Sequence, residues 1–157
     1  MDSLLNYFIF ALYMFSAIAI WRLMNGHNKS KIHQIIVWVF WLLAIVCHAY
    51  SLMPIFDNDY SINLSINYAL IVVAFIISIT LYISSIVGNT QFLGIIILPI
   101  LSSIFLFDFT NAPVNIPLNN FLFIHVIISL ISYSILCLSA AQSVILKIQE
   151  KKLQSNQ

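Results

Sequence analysis

Charge is what this sequence has least of. Only 7% of its 157 residues are Asp, Glu, Lys or Arg, against 62% hydrophobic and 14% aromatic. A soluble domain carries roughly 25% charged residues, so this chain cannot clothe a water-facing surface, and its mean hydropathy of +1.02 agrees. The net charge of +1 leaves no basic patch once the lysines are assigned to membrane loops, which excludes nucleic acid as a partner. Cysteine is sparse too. Cys47 and Cys137 both lie in apolar runs, with no CxxC or CxxCH spacing, so neither a zinc site nor covalent haem attachment is indicated, and each thiol reads as a small apolar packer. The N-terminus, MDSLLNYF, lacks the basic flank and cleavage site of a signal peptide, so the first apolar run is read as a retained membrane helix. Carboxylate pairs, a Ser-His-Asp set and a Gly-rich phosphate loop are all missing, which argues against an enzyme. No Asp or Glu falls deep in an apolar run, which argues against a transporter with a charged midplane site.

What the chain does have is long apolar runs. About 20 such residues cross a bilayer as a helix, and five stretches qualify, at 4–24, 34–53, 64–87, 91–109 and 120–147. The third, LIVVAFIISITLYISSIV, has the β-branched richness of a strand. A lone strand in lipid would leave its backbone unpaired, so a helix is expected. Pro99 is expected to kink the fourth span, and Gly94 to let a neighbouring helix approach closely. The expected fold is therefore all-α, a single polytopic transmembrane bundle over residues 1–157.

The basic residues set the orientation. Arg22, Lys29 and Lys31 lie in the first connection and Lys147, Lys151 and Lys152 in the tail, which accounts for all 6. Five spans put both segments on one side, which the positive-inside rule makes cytoplasmic. The N-terminus is then outside and the C-terminus inside, with Asp2, Asp57, Asp59 and Asp108 on the outer side.

Of the 4 histidines, His27 and His33 belong to the basic loop. His48, in VCHAYSL, and His125, in FIHVIISL, lie within spans, each about one turn from the outer end. An ionisable group at that depth ordinarily faces a bundle interior or a cavity. Ser129, Ser132, Leu136, Ser139 and Ser143 fall within about 40° of His125 on a helical wheel, a polar stripe expected to face the bundle. Two readings stay open for it: a ligand histidine, or a helix seam with serines bonding across it or back to their own carbonyls. Trp41 and Ala44 share a face with His48. Neutral imidazole is the commonest axial ligand of haem iron, and tryptophan packs on flat macrocycles. The alternative is a hydrogen-bonded histidine beneath a loop with Trp41 as packing.

The fifth helix, IHVIISLISYSILCLSAAQSVIL with its exit KIQEKKL, resembles the histidine helix of cytochrome c assembly membrane proteins, the CcsA/CcmC group. The likeness is greatest to the YpjD-type inner-membrane proteins and their HemX relatives, through CHAYSL at the end of the second span, INLSINYAL at Ile62–Leu70 and LGIIILPI before the histidine helix. It covers most of the chain from Val46 onward; each piece is short, and their order and spacing carry the weight. The tryptophan-rich outer segment and the later histidines of the family are absent here. The resemblance implies an inner (plasma) membrane protein of a bacterium that binds or handles haem b non-covalently for cytochrome maturation. It places His125 at the family's outward haem histidine and His48 at a second histidine of the YpjD-type pattern, both as candidate ligands of haem iron, with Trp41 beside them. It also implies that residues 1–157 match the N-terminal part of a longer family domain. The partners implied are haem, the lipid bilayer, and further helices or other assembly subunits. The alternative is a structural scaffold whose histidines only hydrogen-bond between helices.

Overall fold

The computed structural model describes residues 2–25, 31–53, 61–63, 66–88, 90–107, 115–117 and 120–154. The chain runs through α1 (Asp2–Asn25), α2 (Lys31–Ser51), β1 (Ser61–Asn63), α3 (Ile66–Val87), α4 (Gln91–Ser103), a 3₁₀ turn (Ile104–Leu106), β2 (Asn115–Pro117) and α5 (Asn120–Gln154). The β-branched third run is helical, as backbone pairing in lipid requires. By length and composition, Leu4–Asn25, Lys31–Ser51, Asn67–Val87 and Ile124–Val144 can each cross a membrane.

The expected fourth span is shorter than it reads. Gln91–Leu106 is apolar but falls outside that length class. Even at 1.5 Å per residue throughout it reaches only ~24 Å, against a hydrocarbon core of ~30 Å. The expectation ran to residue 109, and 108–109 lie outside the described residues. The α-helix passes through Pro99 and continues to Ser103 before tightening into the 3₁₀ turn. Pro99 removes one donor from the ladder, and the hydroxyls of Ser102 and Ser103 then donate to the carbonyls of Pro99 (2.8 Å) and Ile100 (2.7 Å).

Packing follows from small side chains and rigid rings. α1 lies against α2 and α4, while α3 touches α2, α4 and α5. Ile9, Tyr13 and Ile20 of α1, Trp41 and Ala44 of α2, Ala74 and Leu81 of α3, and Leu93 and Leu98 of α4 make the buried core. Gly94 permits a close approach. A Cβ there would stand 2.9 Å from Ile20 Cδ1 and 3.5 Å from Trp41 Cη2, so the missing atom lets α1 and α2 close in without a shift of the Ile20 side chain. The outer faces of α1 and α2 carry Phe8, Phe15, Ile18, Ile35, Val39 and Leu42, the apolar surface a bilayer requires.

Two short strands join the α2–α3 and α4–α5 connections. They pair antiparallel, with Ser61 opposite Pro117, Ile62 opposite Ile116 and Asn63 opposite Asn115. Nothing in those Asn- and Pro-containing segments announces a strand, and Pro117 with no N–H is tolerated because it sits at a strand end.

Candidate functional site

The two intramembrane histidines occupy opposite environments. His48 sits one turn before the end of α2 and is fully buried. Its Nε2 lies 3.1 Å from the carbonyl oxygen of Ile71 on α3. A carbonyl can only accept, so Nε2 carries the proton, which in the neutral ring is the Nε2–H tautomer. Nδ1 then presents its lone pair, and the Tyr13 hydroxyl on α1 donates to it at 2.9 Å. One imidazole thus joins three helices, with both nitrogens engaged.

Aromatic rings close the space around it. Phe105 in the 3₁₀ turn, Phe75 on α3 and Tyr13 present edges to His48, with ring centroids 4.8, 5.2 and 5.8 Å away. Ser78 of α3 lies beside the Tyr13 hydroxyl, yet its buried Oγ makes no hydrogen bond of good geometry. The Ser51 hydroxyl donates to the His48 carbonyl at 2.7 Å, which satisfies an acceptor that the end of α2 leaves without a helical partner.

Trp41, two turns from His48 on the same face of α2, is also fully enclosed. Its indole stacks on Trp38 (5.9 Å, 5° between planes), and Tyr82 of α3 meets it edge-on at 5.4 Å and 84°. Its Nε1 has no hydrogen-bond partner among the described residues.

His125 is exposed. Its stripe was expected to face the bundle, and the structure turns it outward: Ser132, Leu136, Ser139 and Ser143 are exposed and Ser129 half-buried. α5 packs on α3 through Ser134 and Leu138, its only side chains described as buried. Ser134 lies nine positions beyond His125, a rotation of about 180° at 100° per residue. The cause is that α5 has small side chains on two faces, and in lipid hydrophobicity does not choose between them. The stripe serines satisfy themselves: Ser129 donates to the His125 carbonyl and Ser132 to that of Ile128, each at 2.8 Å. The His125 ring makes no hydrogen bond among the described residues.

His48 and Trp41 therefore share the core, while His125 lies apart from them on the far side of α5. Among the described residues no group of three or more His, Cys, Asp or Glu side chains is placed to hold a metal ion. Sequence reasoning missed Tyr13 and the Ile71 carbonyl, because one is a tyrosine 35 positions from its partner and the other is backbone. Comparison with family models, curated proteins and solved structures finds no match.

Proposed function

We propose that this chain is part of a bacterial plasma-membrane protein that handles haem for cytochrome c assembly, with His125 as the histidine offered to the iron. The proposal rests on one observation. The His125 imidazole has no protein partner among the described residues and stands on an outward stripe of small side chains, which leaves room for a flat cargo. His48 does not fit that role. A ligand nitrogen needs a free lone pair, and the one His48 has accepts from Tyr13. Trp41, enclosed by Trp38 and Tyr82, acts with it as scaffold. The cargo sits between α5 and further membrane helices, whether from a longer form of this chain or from another assembly subunit. In this arrangement the N-terminus is outside, and His125 faces the compartment where haem is attached to cytochromes.

The test is absorption in the Soret region of the detergent-purified protein, alone and with its membrane partners. Haem should bind and be lost in both His125→Ala and His125→Gln, since glutamine hydrogen-bonds but ligates iron poorly, with the protein still accumulating in the membrane. Full retention of haem in His125→Gln would sink the ligand role. One observation favours a pure scaffold instead: the one buried histidine among the described residues is wholly spent on protein hydrogen bonds. That reading expects no haem in any variant.

A further inference from the structure

A cavity of about 550 Å³ opens at the end of the bundle that holds the α3–α4 turn, lined by Trp38, Tyr82, Ser85, Ile86, Val87, Gly88 and Gln91. It lies ten residues along α2 from His48, ~15 Å away by helical rise, and is independent of the haem reading. We propose that it binds the head group of a membrane-soluble quinone.

Its walls define the ligand. Trp38 is stacked on the enclosed Trp41, and Tyr82 meets both indoles edge-on, at 5.3 Å and 80° for Trp38 and 5.4 Å and 84° for Trp41. Three interlocked rings from two helices make a stiff surface suited to a flat ring. The same lining holds polar groups with capacity to spare. The Gln91 side chain is half-buried at the start of α4 and makes no hydrogen bond among the described residues, so its amide keeps two donors free. Ser85 is only 3% exposed. Among the described residues its one hydrogen bond is a long 3.4 Å approach to Thr90 Oγ1, which sits closer to Ser84 at 3.0 Å. Such donors call for carbonyl acceptors on the ligand ring.

Charge and depth narrow the class. None of the described lining residues is charged, so a lipid phosphate would find no cation there. Haem would find neither an iron ligand nor a partner for its propionates. The ligand is neutral. Trp38 lies seven residues into α2 and Tyr82 five from the end of α3, so the cavity reaches ~10 Å in from the helix ends, the interfacial depth at which Trp and Tyr concentrate. A volume of this size suits a small-molecule site, for which about 300–1,000 Å³ is usual. Flat, neutral, carbonyl-bearing and soluble in the bilayer describes a quinone.

Quinones quench indole fluorescence, which gives a direct readout from Trp38 and Trp41 once the exposed Trp21 is replaced. In a Trp21→Phe background, decylubiquinone should quench saturably. Gln91→Leu and Ser85→Ala should each weaken the apparent affinity roughly five- to tenfold, as loss of a hydrogen bond predicts. Ser103→Ala, at the other end of α4, should leave it unchanged, and thermal melts of all three confirm folding. Quenching that rises linearly without saturation, or saturates identically in Gln91→Leu and Ser85→Ala, overturns the proposal. So does saturable quenching by brominated phosphatidylcholine with none by decylubiquinone, which would make the cavity a lipid site.

Discussion

The end of α2 and the start of α5 each place a histidine about one turn inside a membrane-length helix, and the two have opposite fates. His48 is closed in by three other elements, α1, α3 and the 3₁₀ turn, and gives both nitrogens to protein partners. His125 is left on an exposed face. The difference shows that an intramembrane histidine is identified by what its ring nitrogens touch rather than by its depth. A buried imidazole with two partners holds helices together. An exposed one without a partner is the one still able to bind something.

The comparison breaks most readily at His48. His48→Ala should cost about 3 kcal/mol, because it removes both hydrogen bonds that tie α2 to α1 and α3 and leaves a cavity among rings. His125→Ala in the same chain should change stability by less than about 0.5 kcal/mol, as for an exposed position. Reversible unfolding in mixed micelles measures both, and equal losses would erase the distinction.

Next in size is Gly94→Val, which forces a Cβ and two methyls into the contact with Ile20 and Trp41 and should cost about 1–3 kcal/mol. Gly94→Ala should cost much less, because the atom it meets is the mobile end of Ile20. The same melts compare them.

α5 offers a finer test. Ser134→Leu should loosen its seat on α3 by about 1 kcal/mol, whereas Ser132→Leu on the exposed face should be neutral in the isolated chain. Loss of stability in Ser132→Leu alone would return the polar stripe to the bundle interior. The smallest effect belongs to Tyr13→Phe. It deletes one hydrogen bond, and such bonds between membrane helices average about 0.6 kcal/mol. A double-mutant cycle with His48→Gln isolates that coupling, and additivity within error would mean that the Tyr13–His48 bond contributes nothing.

The helices were legible because bilayer thickness is a strong constraint on apolar length, and α1, α2, α3 and the start of α5 match the runs read from sequence within a few residues. Gly94 was legible because a helix contact close enough to need it has few other solutions. The facing of α5 was not. Hydrophobic periodicity reports burial against water, and a helix in lipid is apolar on every side, so the serine stripe was expected to pack and nothing in the pattern pointed to the Ser134–Leu138 face instead. Of the candidate site, the two histidines stood out as polar groups in apolar runs, but their roles depended on long-range partners. The β1–β2 pairing is a backbone ladder, and its sequence carried no strand signal.

His48 also has a bearing on how the protein is made. Its two partners lie on the helix before it and the helix after it in the chain. When α1 and α2 enter the membrane as a pair, Tyr13 can already satisfy Nδ1, but the Nε2–H has no acceptor until α3 follows and brings the Ile71 carbonyl alongside. A two-helix intermediate therefore carries an unpaired donor in lipid, a state of raised energy. The third helix relieves it only when docked in the register seen here. Docking of α3 in this register thus completes the pairing of that one imidazole.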